Sequence, residues 1–217
     1  MLTSNININV MIQDHPIFLE SIRYIRSNLE TNNFSYLENK VLERLVHTSG
    51  DFNIQYLLEF SKNACEAGIK ALKEGAPILT DTEMAAAAIK SMAENTTGNK
   101  VFSSKRWFED NLNVGKTKTA NGIEKGWFEL SVENTGIKSP VIVIGSSPTA
   151  LVNLLDLLKD SKESPSLIVG MPVGFIGVEK SKEKLLETNY NKIVMNSTRG
   201  GAAMAAAVVN ALLRESI

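Results

Sequence analysis

His47 is the first residue of this chain that could do acid–base chemistry. It follows an apolar helical pattern and stands among Thr48, Ser49 and Asp51. Histidine is the one side chain whose unperturbed pKa lies near neutral pH, so His47 is suited to proton transfer. A histidine that merely ends a helix, stabilised by the helix dipole, would show the same pattern. The residues alone leave both interpretations open.

Two turns could bind an anionic ligand. Ser146 and Ser147 come just before Pro148 at a predicted helix start, where free N–H groups bind anions. Arg199 precedes Gly200 and a further glycine, which would let a ligand approach the backbone closely. Ordinary helix capping and close helix–strand packing explain the same residues, so each turn has a structural alternative.

Three charged residues have simpler interpretations. Asp81 follows a predicted strand and precedes a predicted helix, so we expect it to be the N-cap of that helix. Lys116 and Lys118 lie in a polar stretch and are by default solvated surface charges.

The elements that must position these residues alternate between strands and helices. Short apolar runs predict five strands, at residues 77–80, 101–102, 141–145, 166–171 and 193–195. Helical spacing or alanine-rich sequence predicts helices at residues 82–93, 148–158, 178–187 and 202–213, with a weaker helical pattern at 122–130. This β-α-β alternation predicts an α/β protein with a parallel sheet and helices on its faces.

The N-terminal third is predicted to be helical. Pro16 can start the first helix, a capping box of Ser35 and Glu38 starts the second, and the third covers residues 64–73. The second helix is predicted to end near residue 46, and residues 1–15 form a polar arm. We therefore predict a single domain over 1–217, with an N-terminal helical segment (1–75) and an α/β sheet core (76–217).

We expect a flavodoxin-like three-layer sandwich with a mainly parallel five-stranded sheet of order 2-1-3-4-5. In that order the switch point lies between strands one and three, where open α/β sheets bind ligands. This places Thr80 and Asp81 beside Ser146 and Ser147.

Composition excludes several classes of protein. The chain has 217 residues, and 43% of them are hydrophobic, which is enough to form a hydrophobic core. Its formal charge of −1 gives no reason to expect nucleic acid or a membrane as partner. No apolar run is long enough to span a bilayer, and no secretory signal is evident, so a cytoplasmic protein is expected. His15, His47 and the single cysteine, Cys65, show no metal-ligand spacing, and no P-loop or dinucleotide fingerprint is present.

Five segments, in order, resemble one known family. They read "LVHTSGD" around His47, "GAPILTD" before "EMAAAAI", "VIVIGSSPTAL", "LIVGMPVGFIGVEKSKE" and "TRGGAAMAAAVVNAL". This combination resembles precorrin-8X methylmutase, also called cobalt-precorrin-8 methylmutase, of cobalamin (vitamin B12) biosynthesis. The resemblance covers most of the chain from Ser21 onward.

The resemblance implies a fold, an activity and a catalytic residue. Members of the family have a flavodoxin-like fold, form homodimers and need no external cofactor. They are isomerases that move a methyl group within ring C of a tetrapyrrole, precorrin-8X or its cobalt form. The product is hydrogenobyrinic acid, or cobyrinic acid when cobalt is present. The catalytic histidine of the family falls on His47, whose implied role is general acid, and a family serine maps to Ser21.

The predicted site residues suit such a substrate. A large, flat tetrapyrrole carrying several carboxylates needs N–H groups, hydroxyls, cations and apolar contact. The apolar contact would come from Met171, Pro172, Val173 and Phe175. The predicted substrate-binding residues are Ser21, Thr80, Asp81, Thr117, Lys118, Ser146, Ser147, Arg199 and Gly200.

Two segments depart from the family pattern. Thr117, Lys118 and Thr119 stand where the family usually has "TRS", so a lysine replaces an arginine. Lysine keeps the charge but loses the bidentate fork of a guanidinium. The family's "GNAPTAL" becomes "GSSPTAL", which loses an asparagine.

Three functional hypotheses follow. The first is a methylmutase isomerase. The second is a non-catalytic corrinoid carrier, or a paralogue with an altered substrate, and the Lys118 departure leaves room for it. The third is a flavin-binding module, which is disfavoured because the first strand is not followed by a Ser/Thr-rich phosphate loop.

Overall fold

A computed structural model describes residues 14–109, 115–132 and 138–217. The predicted arm (residues 1–15) lies mostly outside the described residues. Eight α-helices occur in the described part: α1 Pro16–Asn28, α2 Tyr36–Ser49, α3 Ala64–Lys73, α4 Glu83–Glu94, α5 Lys118–Trp127, α6 Pro148–Leu158, α7 Val178–Leu186 and α8 Ala202–Arg214. The strands are β1 Leu58–Phe60, β2 Ile78–Thr80, β3 Val101–Ser103, β4 Val141–Ile144, β5 Leu167–Gly170 and β6 Lys192–Met195.

The described strands form one six-stranded sheet of order β1-β6-β5-β4-β2-β3. β2 to β6 are mutually parallel, and β1 pairs antiparallel with β6, with Leu58 opposite Met195. The predicted strand count of five, and with it the order 2-1-3-4-5 for the whole sheet, is therefore wrong. The additional edge strand is only three residues long and carries a central glutamate, Glu59, so no apolar run marked it in the sequence.

The sheet lies between two helical layers. On one face, Val141 and Val143 pack in a core with residues of α2, α3, α4 and α8, and α1 packs on the outside of α2. On the other face, Ile142 and Ile144 pack with residues of α5, α6 and α7. The period-two alternation within β4 thus feeds two separate cores, as expected for a central strand covered on both faces. The α/β class with helices on both faces is confirmed.

Two local predictions need correction. The N-cap of α4 is Thr82, whose hydroxyl accepts a hydrogen bond from the Ala85 N–H, and not Asp81. Helix α2 extends to Ser49 and ends at Gly50 in the left-handed conformation, so His47 lies within the last turn of the helix.

Two glycines explain why the helical pattern of α5 is weak in the sequence. A Cβ at Gly122 would collide with the carbonyl oxygen of Ser104, and one at Gly126 would collide with the ring of Trp107. These glycines lower helix propensity but let the 3₁₀ turn Ser104–Trp107 lie directly against the helix. Close packing therefore outweighs local preference here.

Candidate active site

A histidine–serine pair joins the first two helices. The Ser21 hydroxyl oxygen on α1 lies 2.9 Å from Nδ1 of His47, in the last turn of α2. The His47 side chain is exposed and Ser21 is half-buried. A hydroxyl at Nδ1 orients the imidazole ring and leaves Nε2 to meet a ligand. The structure thus brings together the two residues that were predicted from different helices.

The surroundings of His47 disfavour its charged form. The ring of Phe18 packs edge-on against the imidazole, with the ring centres 5.2 Å apart. Partial burial lowers the pKa of His47, and the nearby guanidinium of Arg44 lowers it further. A histidine with a lowered pKa is a stronger acid when it is protonated.

Phe18 also holds two cations close to the histidine. The guanidiniums of Arg44 and Arg214 lie 5.4 and 5.2 Å from its ring centre. Arg214 also donates to both carboxylate oxygens of Asp14. The positive charge near His47 is therefore fixed by packing.

A second group of predicted residues lies where β2 and β4 end. The Asp81 carboxylate accepts hydrogen bonds from the N–H groups of Gly145, Ser146 and Ser147 at 3.1, 2.6 and 2.9 Å. Burial raises the pKa of Asp81, and the three N–H donors oppose that shift. The N–H groups predicted to bind a ligand are thus satisfied by the chain itself.

Thr80 and Asp81 lie below the surface of this edge. Thr80 is fully buried and donates its hydroxyl to the Thr82 carbonyl oxygen at 2.7 Å, and Asp81 is 2% exposed. A ligand resting on this edge would meet the side chains above them.

Hydroxyl groups form that upper layer. The Thr149 hydroxyl oxygen lies 3.0 Å from those of both Thr117 and Ser147, which are the N-caps of α5 and α6. Lys118, the first residue of α5, is exposed beside them. Lys116 forms an ion pair with Glu124. The starts of two helices therefore converge with hydroxyls and a cation at one surface.

Arg199 lies on the α2 side of the sheet edge and already has a partner. Its guanidinium forms an ion pair with Asp51, which follows the Gly50 C-cap of α2. The Asn53 N–H and then Arg199 lower the pKa of Asp51, which keeps its carboxylate ionised. Gly200 has a φ of 155°, and a Cβ there would overlap the Met171 carbonyl oxygen.

The apolar residues predicted to face the substrate divide into two kinds. Met171 and Pro172 are buried, whereas Val173 and Phe175 are exposed, with Phe175 at 89%. Ile176 is equally exposed and was not predicted. The loop after β5 thus presents an apolar tip on the carboxyl edge of the sheet.

Comparison with known proteins gives the family. The family described as CbiC: Precorrin-8X methylmutase matches residues 16–215. The chain belongs to this family.

Relatives and solved structures agree with the match. The chain is 34% identical to a precorrin-8X methylmutase of Sinorhizobium sp. (94% of this chain, 95% of that protein) and 32% identical to the cobalt-precorrin-8 methylmutase of Methanocaldococcus jannaschii (95% and 92%). The crystal structure of a precorrin-8X methylmutase from Thermus thermophilus is 30% identical, with a TM-score of 0.80 over 92% of this chain and 95% of that one. The predicted family resemblance is confirmed. It places the chain among the methylmutase isomerases of cobalamin biosynthesis. Within its described parts, no helix combines the length and apolarity needed to cross a membrane.

Sequence reasoning about this methylmutase missed the residues that support the site. Lys182 is fully buried on the stripe of α7 that also carries Val178 and Leu185, and burial lowers its pKa to about 8. A lysine at helical spacing with apolar residues was the available signal. No comparable signal predicted the role of Asp51, because its partner Arg199 lies far away in the sequence. Arg44 lies three residues before His47 on the same helix, and that spacing was the available signal for its effect on the histidine.

Proposed function

We propose that this chain isomerises precorrin-8X or cobalt-precorrin-8 to hydrogenobyrinic or cobyrinic acid, with His47 as general acid. The observation that carries the proposal is the Ser21–His47 pair, at 2.9 Å, on an exposed helix end that the Asp51–Arg199 ion pair joins to the loop after β6. Family membership supports the reaction class, and the names of the relatives supply the substrate.

Ser21 determines which nitrogen delivers the proton. Both ring nitrogens donate in the imidazolium form, so Nδ1 of His47 then donates to the Ser21 hydroxyl oxygen 2.9 Å away, and the neutral imidazole left after transfer keeps its hydrogen on Nδ1. The proton therefore leaves from Nε2 to the tetrapyrrole, whose protonation makes migration of the ring C methyl group favourable. After the shift the tetrapyrrole releases a proton and Nε2 regains one, so the product is an isomer of the substrate and the acid is restored. Phe18 and Arg44 make the imidazolium a stronger acid.

The remainder of the edge would hold the substrate. Its carboxylates would contact the hydroxyls of Thr117, Ser147 and Thr149 and the ammonium of Lys118. Its flat face would rest on the exposed apolar tip at Phe175. The Ser146 N–H does not contribute, because it donates to Asp81. Binding thus relies on side chains above a fixed backbone.

Homodimer formation and a cytoplasmic location complete the proposal. The resemblance supports the dimer, and the largely exposed apolar residues Ile17 and Tyr24 on α1 are compatible with a partner surface. Light scattering at enzyme concentrations near the assay range would measure the assembly state; a monomeric mass would contradict the dimer.

The experiment compares absorbance spectra of the tetrapyrrole mixed with wild type, His47→Ala and His15→Asn. We expect conversion by wild type and by His15→Asn, because asparagine keeps the N-cap of α1. His47→Ala should bind the substrate and lose about 10² to 10⁴ in kcat, the usual contribution of general acid catalysis. Circular dichroism would check that each variant is folded.

One result would contradict the isomerase and another the role of His47. Tight binding without conversion by wild type would favour the corrinoid carrier, for which the exposed Lys118 in place of the family arginine is the supporting observation. Full turnover by His47→Ala would remove the histidine from the mechanism and leave the acid to another group.

A further inference from the structure

Lys182 is a buried cation held by backbone carbonyl groups. Its Nζ donates to the carbonyl oxygens of Ser197 and Arg199 at 2.6 Å each, and the residue is 0% exposed. Burying an ammonium is costly unless its donors are satisfied, and these short bonds satisfy two of them. Lysine here fastens the loop between β6 and α8 to helix α7.

The same loop is held from its other side. The Gly201 N–H donates to the Met171 carbonyl oxygen at 2.9 Å, and the Gly174 N–H donates to the Thr198 carbonyl oxygen at 3.1 Å. Gly200 leaves no space for a side chain against Met171. Residues 197–201 therefore lie in a single backbone conformation set by α7 and by the loop after β5.

Arg199 transmits that position to the catalytic helix. Its carbonyl oxygen is held by Lys182, and its guanidinium pairs with Asp51. Asp51 also accepts the Asn53 N–H at 2.8 Å, which fixes the turn that follows α2. His47 lies four residues before Asp51, in the last turn of that helix.

We propose that Lys182, Arg199 and Asp51 are positioning residues that set the orientation of His47 relative to Ser21. Lys182 fixes the loop, Arg199 extends from it, and Asp51 joins the end of α2 to the sheet. The inference rests on the proposed role of His47 as general acid. It assigns to Arg199 a function other than the predicted contact with a substrate carboxylate.

The two roles of Arg199 predict different kinetics. A guanidinium that binds a substrate carboxylate acts on KM, and loss of Asp51 would release it for the substrate. A guanidinium that positions the catalytic helix acts on kcat, and loss of either partner has the same effect. Both side chains of the ion pair are partly exposed to solvent, so they can be changed without opening a cavity in the core.

The test compares Asp51→Asn, Arg199→Gln and the double variant. We expect each to lower kcat by about ten-fold or more, since displacing a catalytic group by about 1 Å can cost 10²-fold. KM should stay near the wild-type value, and the double variant should lose no more than the larger single loss. Arg106→Gln is the matched control, because it breaks an exposed ion pair with Glu129 outside the site; we expect it to keep full activity.

A second measurement is independent of turnover. The ¹⁵N chemical shift of His47 Nδ1 in the free protein reports its hydrogen bond to Ser21, and we expect it to change in Asp51→Asn and Arg199→Gln but not in Arg106→Gln. If wild type shows no turnover but the shift changes as expected, the proposed function fails and the positioning role stands.

Three outcomes would overturn the inference. The first is an increase in KM for Arg199→Gln that Asp51→Asn does not show. The second is an unchanged kcat in both single variants, and the third is an unchanged ¹⁵N chemical shift of His47 in both. Lys182→Met keeps the apolar stem and removes the donors, so in a folded variant it should reproduce the kcat loss of Arg199→Gln. A folded Lys182→Met enzyme with wild-type kcat would likewise overturn the role of Lys182.

Discussion

The His47 region and the turn after β4 were both expected to bind a ligand, but they differ in whether their functional atoms are available to one. At His47 the functional atoms reach an exposed surface and the supporting groups lie beneath them. At the turn the N–H groups of Gly145, Ser146 and Ser147 point at a carboxylate of the same chain, Asp81. A helix start can therefore be an anion site that the protein has filled with its own side chain.

Replacing Asp81 should have the largest effect. Asp81→Ala leaves three N–H groups without their acceptor, and each buried unsatisfied donor costs about 1–3 kcal/mol. We expect the free energy of unfolding to fall by about 3 kcal/mol or more, measured by urea denaturation.

Asp81→Asn is the matched control, because it keeps the shape and one carbonyl acceptor, so its loss should be smaller. If Asp81→Ala were as stable as wild type and bound added acetate no better, the internal-anion interpretation would be contradicted.

Ser21→Ala tests the His47 region. Without the hydroxyl, the imidazole loses the partner that holds its Nδ1, while the fold keeps its packing. We expect kcat to fall about ten-fold, consistent with the loss of one hydrogen bond of about 1–1.5 kcal/mol, with little change in KM.

Ser27→Ala is the control, since its hydroxyl also lies on α1, where it donates to the Tyr24 carbonyl oxygen and accepts from the Asn28 side-chain amide. Equal kcat for Ser21→Ala and wild type would mean that packing alone orients the ring.

Lys118→Arg tests whether the surface lined by the hydroxyl groups binds the substrate. It introduces the arginine that the family resemblance implies at this position and adds a bidentate fork for a carboxylate. We expect KM to fall about two- to five-fold, the range of an exposed ion pair, with kcat unchanged. Lys105→Arg, on an exposed ion pair with Glu83, should leave KM unchanged. An unchanged KM for Lys118→Arg, as for the control, would place this lysine outside the substrate site.

The smallest expected effect concerns the charge near His47. Arg44 lowers the pKa of His47, so Arg44→Gln should raise it toward the ordinary value. A general acid must be protonated, so kcat falls as pH rises through this pKa. The alkaline limb of the pH–rate profile should therefore move to higher pH in the variant. A limb that moves to lower pH would contradict the assigned electrostatics.

The sequence predicts those parts of this molecule that depend on neighbouring residues. The capping box at Ser35 and Glu38, helix α3 and the buried run of β4 all follow from local patterns, and all are present. The family resemblance, not spacing, led to the Ser21–His47 pair, because these residues belong to separate helices.

The errors have a common physical cause. β1 exists because β6 offers an unpaired edge, and no property of residues 58–60 announces that partner. Asp81 was assigned to the nearest helix, whereas its carboxylate reaches residues 145–147, more than sixty positions along the chain. In both cases a long-range hydrogen-bond partner outweighed the local preference.

The antiparallel pairing of β1 with β6 determines when the carboxyl edge of the sheet is completed during synthesis. β1 follows α2 closely, yet its partner β6 is among the last elements of the chain; Asn196 bonds Glu59 across 137 positions. Contacts this distant form late, because the intervening chain must first be brought together. A nascent polypeptide that has emerged only to residue 190 carries His47 and Ser21 but lacks β6 and Arg199. His47, the proposed acid, is thus translated early, and its helix becomes anchored to the sheet only when synthesis is nearly complete.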